Sequence, residues 1–222
     1  MDPFYTQQLY PLQDQVLNLV NRVDTDFYLT GGTAVSRGYL NHRYSDDLDF
    51  IVNDDNRFEL WGERVIHTLN AERNWRLEVA LRQPRYIRLN LIQETVFLKL
   101  EFINDVPAHV GQITSHPILG RLDSAENILA NKLTAREEPK DLADIWGLCT
   151  KLGLSLQAAL SGAQSKAAGI FPVDLARILL SVTKVDWEVI KWANAPEPEI
   201  YVRELGQLGE QLILLKSLND EH

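Results

Sequence analysis

The sequence predicts an α+β protein in which a mixed β-sheet flanked by helices is followed by an α-helical half. Before residue 123, short apolar or alternating runs typical of strands are mixed with a few helical patterns. From residue 123 onward, one helical pattern follows another. A stretch rich in proline and glycine, residues 104–122, lies between these parts and is expected to include another short strand or a loop. We therefore expect an α/β domain over residues 1–122 and a helical domain over residues 123–222.

About five strands are expected in the first half. The run Phe27-Tyr28-Leu29 is apolar and ends at a glycine pair, and in the fourth run Ile87, Leu89 and Leu91 alternate with polar residues. The other runs are apolar or rich in strand-forming residues. The predicted strands are 27–29, 48–52, 76–82, 86–92 and 96–103.

The helices are predicted from apolar residues at intervals of three and four. Asp123 and Glu126 form a capping-box pattern that starts one helix, and Pro139 stands where the next would begin. Apolar spacing gives the others. The predicted helices are 12–22, 33–41, 123–136, 140–152, 155–166, 173–182, 187–193 and 200–217.

Composition narrows the class of protein. The 222 residues are 45% apolar, carry one cysteine (Cys149) and show neither a signal-peptide pattern nor an apolar run of membrane-spanning length, so we expect a cytoplasmic protein with no membrane partner. The net charge of −9 argues against a surface that binds nucleic acid everywhere. The arginine-rich stretch between Arg73 and Lys99 is either a local basic patch or the outward face of strands.

Asp47 and Asp49 are the first candidates for chemistry. Because strand residues alternate sides, both carboxylates project from one face while Leu48 and Phe50 enter the core. Two neighbouring carboxylates repel each other unless a cation lies between them, and their oxygens suit Mg²⁺ or Mn²⁺. The alternative is a solvated acidic strand end.

A glycine turn precedes this acidic strand. Gly31 and Gly32 let the backbone approach a phosphate closely at the start of a helix, and the Thr33 hydroxyl adds a donor. A simple tight turn is the alternative. Together with Asp47 and Asp49, the turn favours a site for a nucleoside triphosphate with its metal.

Two further charged residues lie on or beside apolar faces. Glu101 is expected either as a third metal-binding carboxylate and base, or as the partner of an arginine such as Arg88 on the neighbouring strand. Lys132 borders the apolar stripe of its helix and therefore needs an anion, which is either the triphosphate or Asp141 or Asp144.

Four motifs follow one another along the chain: Gly31-Gly32-Thr33-Ala34, Arg43-Tyr44-Ser45-Asp46-Asp47-Leu48-Asp49-Phe50, Asn131-Lys132-Leu133-Thr134-Ala135-Arg136 and Lys140-Asp141-Leu142-Ala143-Asp144-Ile145. Their order resembles that of the AbiEii-type nucleotidyltransferases, a MenT-like toxin family within the DNA polymerase beta-like nucleotidyltransferase superfamily. The resemblance implies an N-terminal sheet of nucleotidyltransferase type with a metal pair at Asp47 and Asp49. It also implies that the helical domain contributes Lys132 as a triphosphate-binding or catalytic lysine and Asp144 as a further active-site acid.

The expected function is Mg²⁺-dependent transfer of a nucleotidyl group from a nucleoside triphosphate to an acceptor hydroxyl. Arg43 and Arg136 would neutralise phosphate charge, and Ser45 would orient the loop before the metal ligands. Since some members of the family act on tRNA and toxins have antitoxins, tRNA and a cognate antitoxin are the expected partners. A small-molecule acceptor and an inactive nucleotide-binding or protein-interaction module are the alternatives.

Overall fold

The computed structural model describes residues 2–134 and 138–219, with side chains described as far as residue 214. It confirms the α+β class. The chain divides into two compact units. One contains the residues up to Tyr39 together with Tyr44–Ser124, and the other contains Leu40–Arg43 together with the residues from Ala125 onward.

A mixed β-sheet forms the first unit. Strand β2 runs parallel to β5, and β1 runs parallel to β7, whereas the other neighbouring strands are antiparallel. The order across the sheet is β3-β4-β5-β2-β1-β7-β6. The strands are β1 (Tyr28–Thr30), β2 (Leu48–Asn53), β3 (Arg76–Gln83), β4 (Tyr86–Gln93), β5 (Val96–Asp105), β6 (Thr114–His116) and β7 (Gly120–Leu122).

The five predicted strands are confirmed, and the stretch 104–122, in which another short strand or a loop is expected, contains two strands. These strands, β6 and β7, have three residues each. Such short strands leave too few residues for an alternation to be recognised. They matter to the site because β7 is the parallel neighbour of β1.

The core of the first unit lies on one face of the sheet. On β4 and β5 the predicted alternation holds, so that Leu89 and Leu100 are buried while Lys99 and Glu101 face the other side. An unpredicted helix, α3 (Phe58–Asn70), packs on the core face at Ile87, whose Cδ1 would be 2.3 Å from a Cβ added to Gly62. The open face is therefore the one that carries charged residues.

The helical elements before residue 75 frame the ends of these strands. The glycine pair is the start of a helix rather than a separate turn, because β1 ends at Thr30 and the helix begins at Gly31. The elements are a π-helical segment (Tyr5–Leu9), α1 (Tyr10–Val20), α2 (Gly31–Thr33), a second π-helical segment (Ala34–Leu40) and α3.

The second unit consists of helices and the short segment Leu40–Arg43. Its helices are α4 (Ala125–Thr134), α5 (Pro139–Thr150), α6 (Leu156–Lys166), α7 (Pro172–Ser181), α8 (Lys184–Glu188) and α9 (Pro198–Asn219). The segment is held in place by main-chain bonds, since the N–H groups of Ala193 and Asn194 both donate to the carbonyl of His42 at 3.0 Å. No described helix is long and apolar enough to cross a bilayer.

The predicted helix 187–193 is wrong. The helix α8 lies three residues earlier because Thr183 and Asp186 close a capping box at its start. Trp192 lies instead in an antiparallel bridge with Arg43. The apolar spacing that predicted a helix here therefore includes a residue that pairs with a segment distant along the chain.

Candidate active site

The predicted carboxylates of the first unit converge on one face of the sheet. Asp49 on β2 is in register with Glu101 on the parallel strand β5 and with Thr30 on β1. Asp47 lies one residue before β2. Leu48 and Phe50 are buried as predicted, so the strand period separates the acids from the core.

Gly31 gives the carboxylate of Asp49 its space. The residue has a φ of +68°, and a Cβ added to it would lie 2.3 Å from Asp49 Oδ2. Both observations require glycine. The Thr33 hydroxyl, predicted as a phosphate donor, donates to the main-chain carbonyl of Asp47 and so connects the start of the helix to the acidic loop.

Lys99 is a site residue that the sequence interpretation missed. Its ammonium lies 3.0 Å from Asp47 Oδ2 and 3.4 Å from Glu101 Oε2. Burial opposes the charge of Lys99, but the hydrogen bond to Asp47 and the nearby carboxylates raise its pKa above the ordinary value. Its position in the sequence is an indication of this role, because residues 99 and 101 must lie on the same face of β5.

Glu101 is held by the neighbouring strand. Its Oε1 accepts hydrogen bonds from the Tyr86 hydroxyl and from Arg88 Nε, the latter at 2.9 Å, and Arg88 Nη2 lies 2.8 Å away. Burial favours the neutral acid, but the Tyr86 hydrogen bond, Lys99 and Arg88 lower the pKa of Glu101 overall. The arginine pairing considered for Glu101 is therefore present, and Oε2 is the oxygen that faces Lys99.

Arg43, Lys132 and Asp144 meet in the second unit. Asp144 has no exposed surface, and both of its oxygens accept from Arg43, with Nε and Nη2 each at 2.7 Å. Lys132 Nζ lies 3.0 Å from Asp144 Oδ2 and 2.5 Å from Asp141 Oδ1. His42 Nε2 is 3.0 Å from Asp144 Oδ1. The salt bridges considered for Lys132 are thus both present.

These contacts keep Asp144 and Lys132 ionised. Burial disfavours a charged Asp144, but Arg43, Lys132 and the His42 hydrogen bond hold its pKa far below the ordinary range. Burial likewise opposes the charge of Lys132, whereas Asp144 and Asp141 raise its pKa. Fixed charges of both signs in a buried cluster can orient Lys132 and Arg43 for an anion. The predicted Arg136 lies outside the described residues.

The donor set of the first unit fits a hard divalent cation. Within residues 2–134 and 138–219, no three His, Cys, Asp or Glu side chains are arranged to hold a metal ion together. Two carboxylates suffice for Mg²⁺, which commonly completes its shell with water and substrate phosphates. The position of the Lys99 ammonium between Asp47 and Glu101 shows that this face attracts positive charge.

The sequence matches one family of known proteins over most of its length. A family model described as the nucleotidyl transferase AbiEii toxin of a type IV toxin–antitoxin system matches residues 19–194. No curated protein matches the chain by sequence.

Solved structures share the fold at low sequence identity. A candidate nucleotidyltransferase from H. pylori has a TM-score of 0.62 and 21% identity, covering 98% of this chain and 99% of that one. JHP933 from Helicobacter pylori has a TM-score of 0.62 and 20% identity, covering 97% and 98%. MenT4, a nucleotidyltransferase toxin from Mycobacterium tuberculosis, has a TM-score of 0.57 and 15% identity, covering 92% and 82%.

Proposed function

The chain belongs to the AbiEii nucleotidyl transferase toxin family, and from this premise we propose that it transfers a nucleotidyl group from a nucleoside triphosphate to an acceptor hydroxyl with Mg²⁺ or Mn²⁺. Membership in a type IV toxin–antitoxin family supports a cognate antitoxin as its partner. Fold alone does not define a reaction, so the proposal depends on the site.

One observation carries the proposal: the carboxylate of Asp49 lies against Gly31 at the start of a helix. Asp47 lies two residues before Asp49 on the same acidic segment. Asp47 and Asp49 would hold the metal. When bound, such a metal neutralises triphosphate charge and favours ionisation of the attacking hydroxyl. The main-chain N–H groups near Gly31 and Gly32 would bind phosphate oxygens.

The other residues of the first unit have supporting roles in this proposal. Lys99 balances the charge of the acidic face when no other cation is bound. Glu101 is proposed as the base, through Oε2, since Tyr86 and Arg88 engage Oε1; it would join Asp47 and Asp49 as a third metal ligand only after a shift of its side chain, because the three are not arranged to share a metal. Ser45, which is buried, orients the loop that precedes the aspartates.

Residues of the second unit supply the proposed triphosphate cations. Lys132 and Arg43 are held by Asp144. The Lys132 side chain is 12% exposed and that of Arg43 is 4% exposed, so Lys132 is proposed to contact the anion and Arg43 to add positive charge beside it. Arg136 is proposed for the same role on the motif alone. Asp144 would act by holding the cations, because it has no exposed surface through which to touch a substrate.

The acceptor is proposed to be tRNA. Exposed arginines on and near β3 and β4, including Arg73, Arg76 and Arg82, support a polyanionic acceptor. The net charge of −9 favours a cationic small molecule instead. Incubation with each labelled triphosphate, with and without total tRNA, separates the two because only one adds label to RNA.

Substitution of the aspartates tests the reaction itself. In Asp47→Asn and Asp49→Asn we expect labelled-nucleotide transfer to fall by at least about 100-fold, with the melting temperature nearly unchanged. Asp26→Asn, which alters an exposed acid of the same unit, is the control and should transfer normally. Intact transfer in both site variants would refute the proposal.

A further inference from the structure

We propose that Gln13 is a positioning residue that holds the loop Tyr44–Asp47, the segment leading into the paired aspartates. The inference deepens the proposed function and rests on it for its catalytic meaning. Gln13 lies on α1, distant in sequence from the loop, and is fully buried.

The loop depends on side chains because it forms no regular secondary structure of its own. Gln13 Nε2 lies 3.2 Å from the carbonyl of Ser45 and 3.3 Å from the carbonyl of Asp46. The next carbonyl, that of Asp47, accepts from the Thr33 hydroxyl. The Ser45 contact is buried and the other two are partly buried. Main-chain oxygens that lose water need such donors, and here two side chains supply them to three consecutive carbonyls.

A glutamine at position 13 is unexpected for packing alone. Positions 12, 13, 16, 17 and 20 form the buried stripe of α1, and all but position 13 are Leu or Val. An amide in such a stripe is costly unless its polar atoms are hydrogen-bonded. The bonds to the loop satisfy one end of the amide.

The other end of the amide is fixed by Arg37. Arg37 Nη1 donates to Gln13 Oε1 at 3.0 Å. Because a guanidinium only donates and a carbonyl only accepts, the amide has a single orientation that satisfies both sides. Arg37 is itself held by an ion pair with Asp14 and by the ring of Tyr10, whose centroid is 4.5 Å from the guanidinium carbon.

The contacts of Gln13 predict which of the two aspartates would move if the amide were lost. Asp49 is held within β2 by its pairing on both sides, whereas Asp47 precedes the strand and depends on the loop. Loss of the amide donors should therefore displace Asp47 and leave Asp49 in place. Residues that support metal ligands in this way typically change metal affinity by about 10–100-fold.

Gln13→Met is the first test, because it keeps a similar side-chain length and removes both donors. Mn²⁺ binding without triphosphate, measured by electron paramagnetic resonance, should weaken about tenfold. Hydrogen exchange at the amides of residues 44–48 should become faster. The matched control is Gln15→Met, which alters an exposed glutamine of the same helix and should leave both measurements at wild-type values.

Arg37→Met is the second test and keeps the proposal falsifiable if Gln13→Met does not fold. It should change both measurements in the same direction by a smaller factor, and the double variant should be no worse than Gln13→Met. Wild-type Mn²⁺ affinity and wild-type exchange in a folded variant of either residue would overturn the inference.

The exchange measurement also separates this inference from the proposed function. It requires neither metal nor triphosphate, so faster exchange at residues 44–48 supports the role of Gln13 even in a protein that transfers no nucleotide. Conversely, nucleotide transfer that depends on Asp47 and Asp49 but is unchanged, with unchanged exchange, in Gln13→Met and Arg37→Met would support the function and refute the inference.

Discussion

The carboxylate of Asp49 occupies the space that a side chain at Gly31 would need. A Cβ at position 31 would be 2.3 Å from Asp49 Oδ2, which is far inside van der Waals contact. Glycine is required here for space as well as for its positive φ. The start of the helix and the candidate metal ligand are therefore in direct contact.

Gly31→Ala should remove activity out of proportion to its effect on stability. The left-handed backbone costs about 1–2 kcal/mol with alanine, and displacement of the Asp49 carboxylate should reduce transfer by about 100-fold. Gly153→Ala is the matched control, because Gly153 has a φ of +70° and open space around its Cβ position. Equal transfer rates in these two variants would contradict the role given to this contact.

Lys99→Met should tighten the binding of divalent cations and lower the stability of the metal-free protein. The ammonium that competes for Asp47 and Glu101 is lost, so we expect Mn²⁺ to bind roughly tenfold more tightly. Titration of Mn²⁺ against the free protein measures this. Lys184→Met, which removes an exposed cation paired with Glu199, should leave the affinity unchanged; weaker binding in Lys99→Met would show that the lysine assists the metal.

Asp144→Asn should destabilise the fold strongly. Removing this buried charge leaves Arg43 and Lys132 without their common partner, and breaking a buried pair costs about 3–5 kcal/mol. Urea unfolding measures the loss. Asp174→Asn, which affects an exposed pair with Arg177, is the control, and its free energy of unfolding should stay within about 0.5 kcal/mol of the wild type. An equally small change in Asp144→Asn would mean that the buried cluster contributes little to stability.

Acid should destabilise the protein through the same groups. The pKa values of Asp144 and Glu101 are lowered on folding, so their contribution is fully present above the unfolded-state pKa values of about 4 and is lost as the pH falls toward the folded-state values. Unfolding free energies measured from pH 7 to pH 3 should therefore decrease, and the decrease should be smaller in Asp144→Asn. A free energy that rises on acidification would contradict this assignment.

Local periodicity explains how much of the fold and the site could be predicted. Alternation placed Asp47 and Asp49 opposite Leu48 and Phe50, because a strand fixes the side of each residue whatever its neighbours are. Helix α3 was missed although Phe58, Trp61, Val65 and Leu69 have helical spacing.

Lys99 and Gln13 mark the limit of sequence interpretation. A lysine on the outward face of a strand and a glutamine on a helix are usually exposed to solvent and have no special role. The roles of these two residues depend on partners that are distant along the chain. Gln13 interrupts an otherwise apolar stripe, which is a usable signal. Lys99 could be placed on the face of Glu101, but its contact with Asp47 required the pairing of β2 with β5.

The inclusion of Leu40–Arg43 in the second unit limits how the protein can be divided. This tetrapeptide supplies the guanidinium and the imidazole that surround Asp144. A fragment that begins at Ala125 would bury Asp144 without this guanidinium and this imidazole. The helical unit is thus encoded by two separate pieces of the gene, and recombination at a single point would not exchange it as an intact cassette between related proteins.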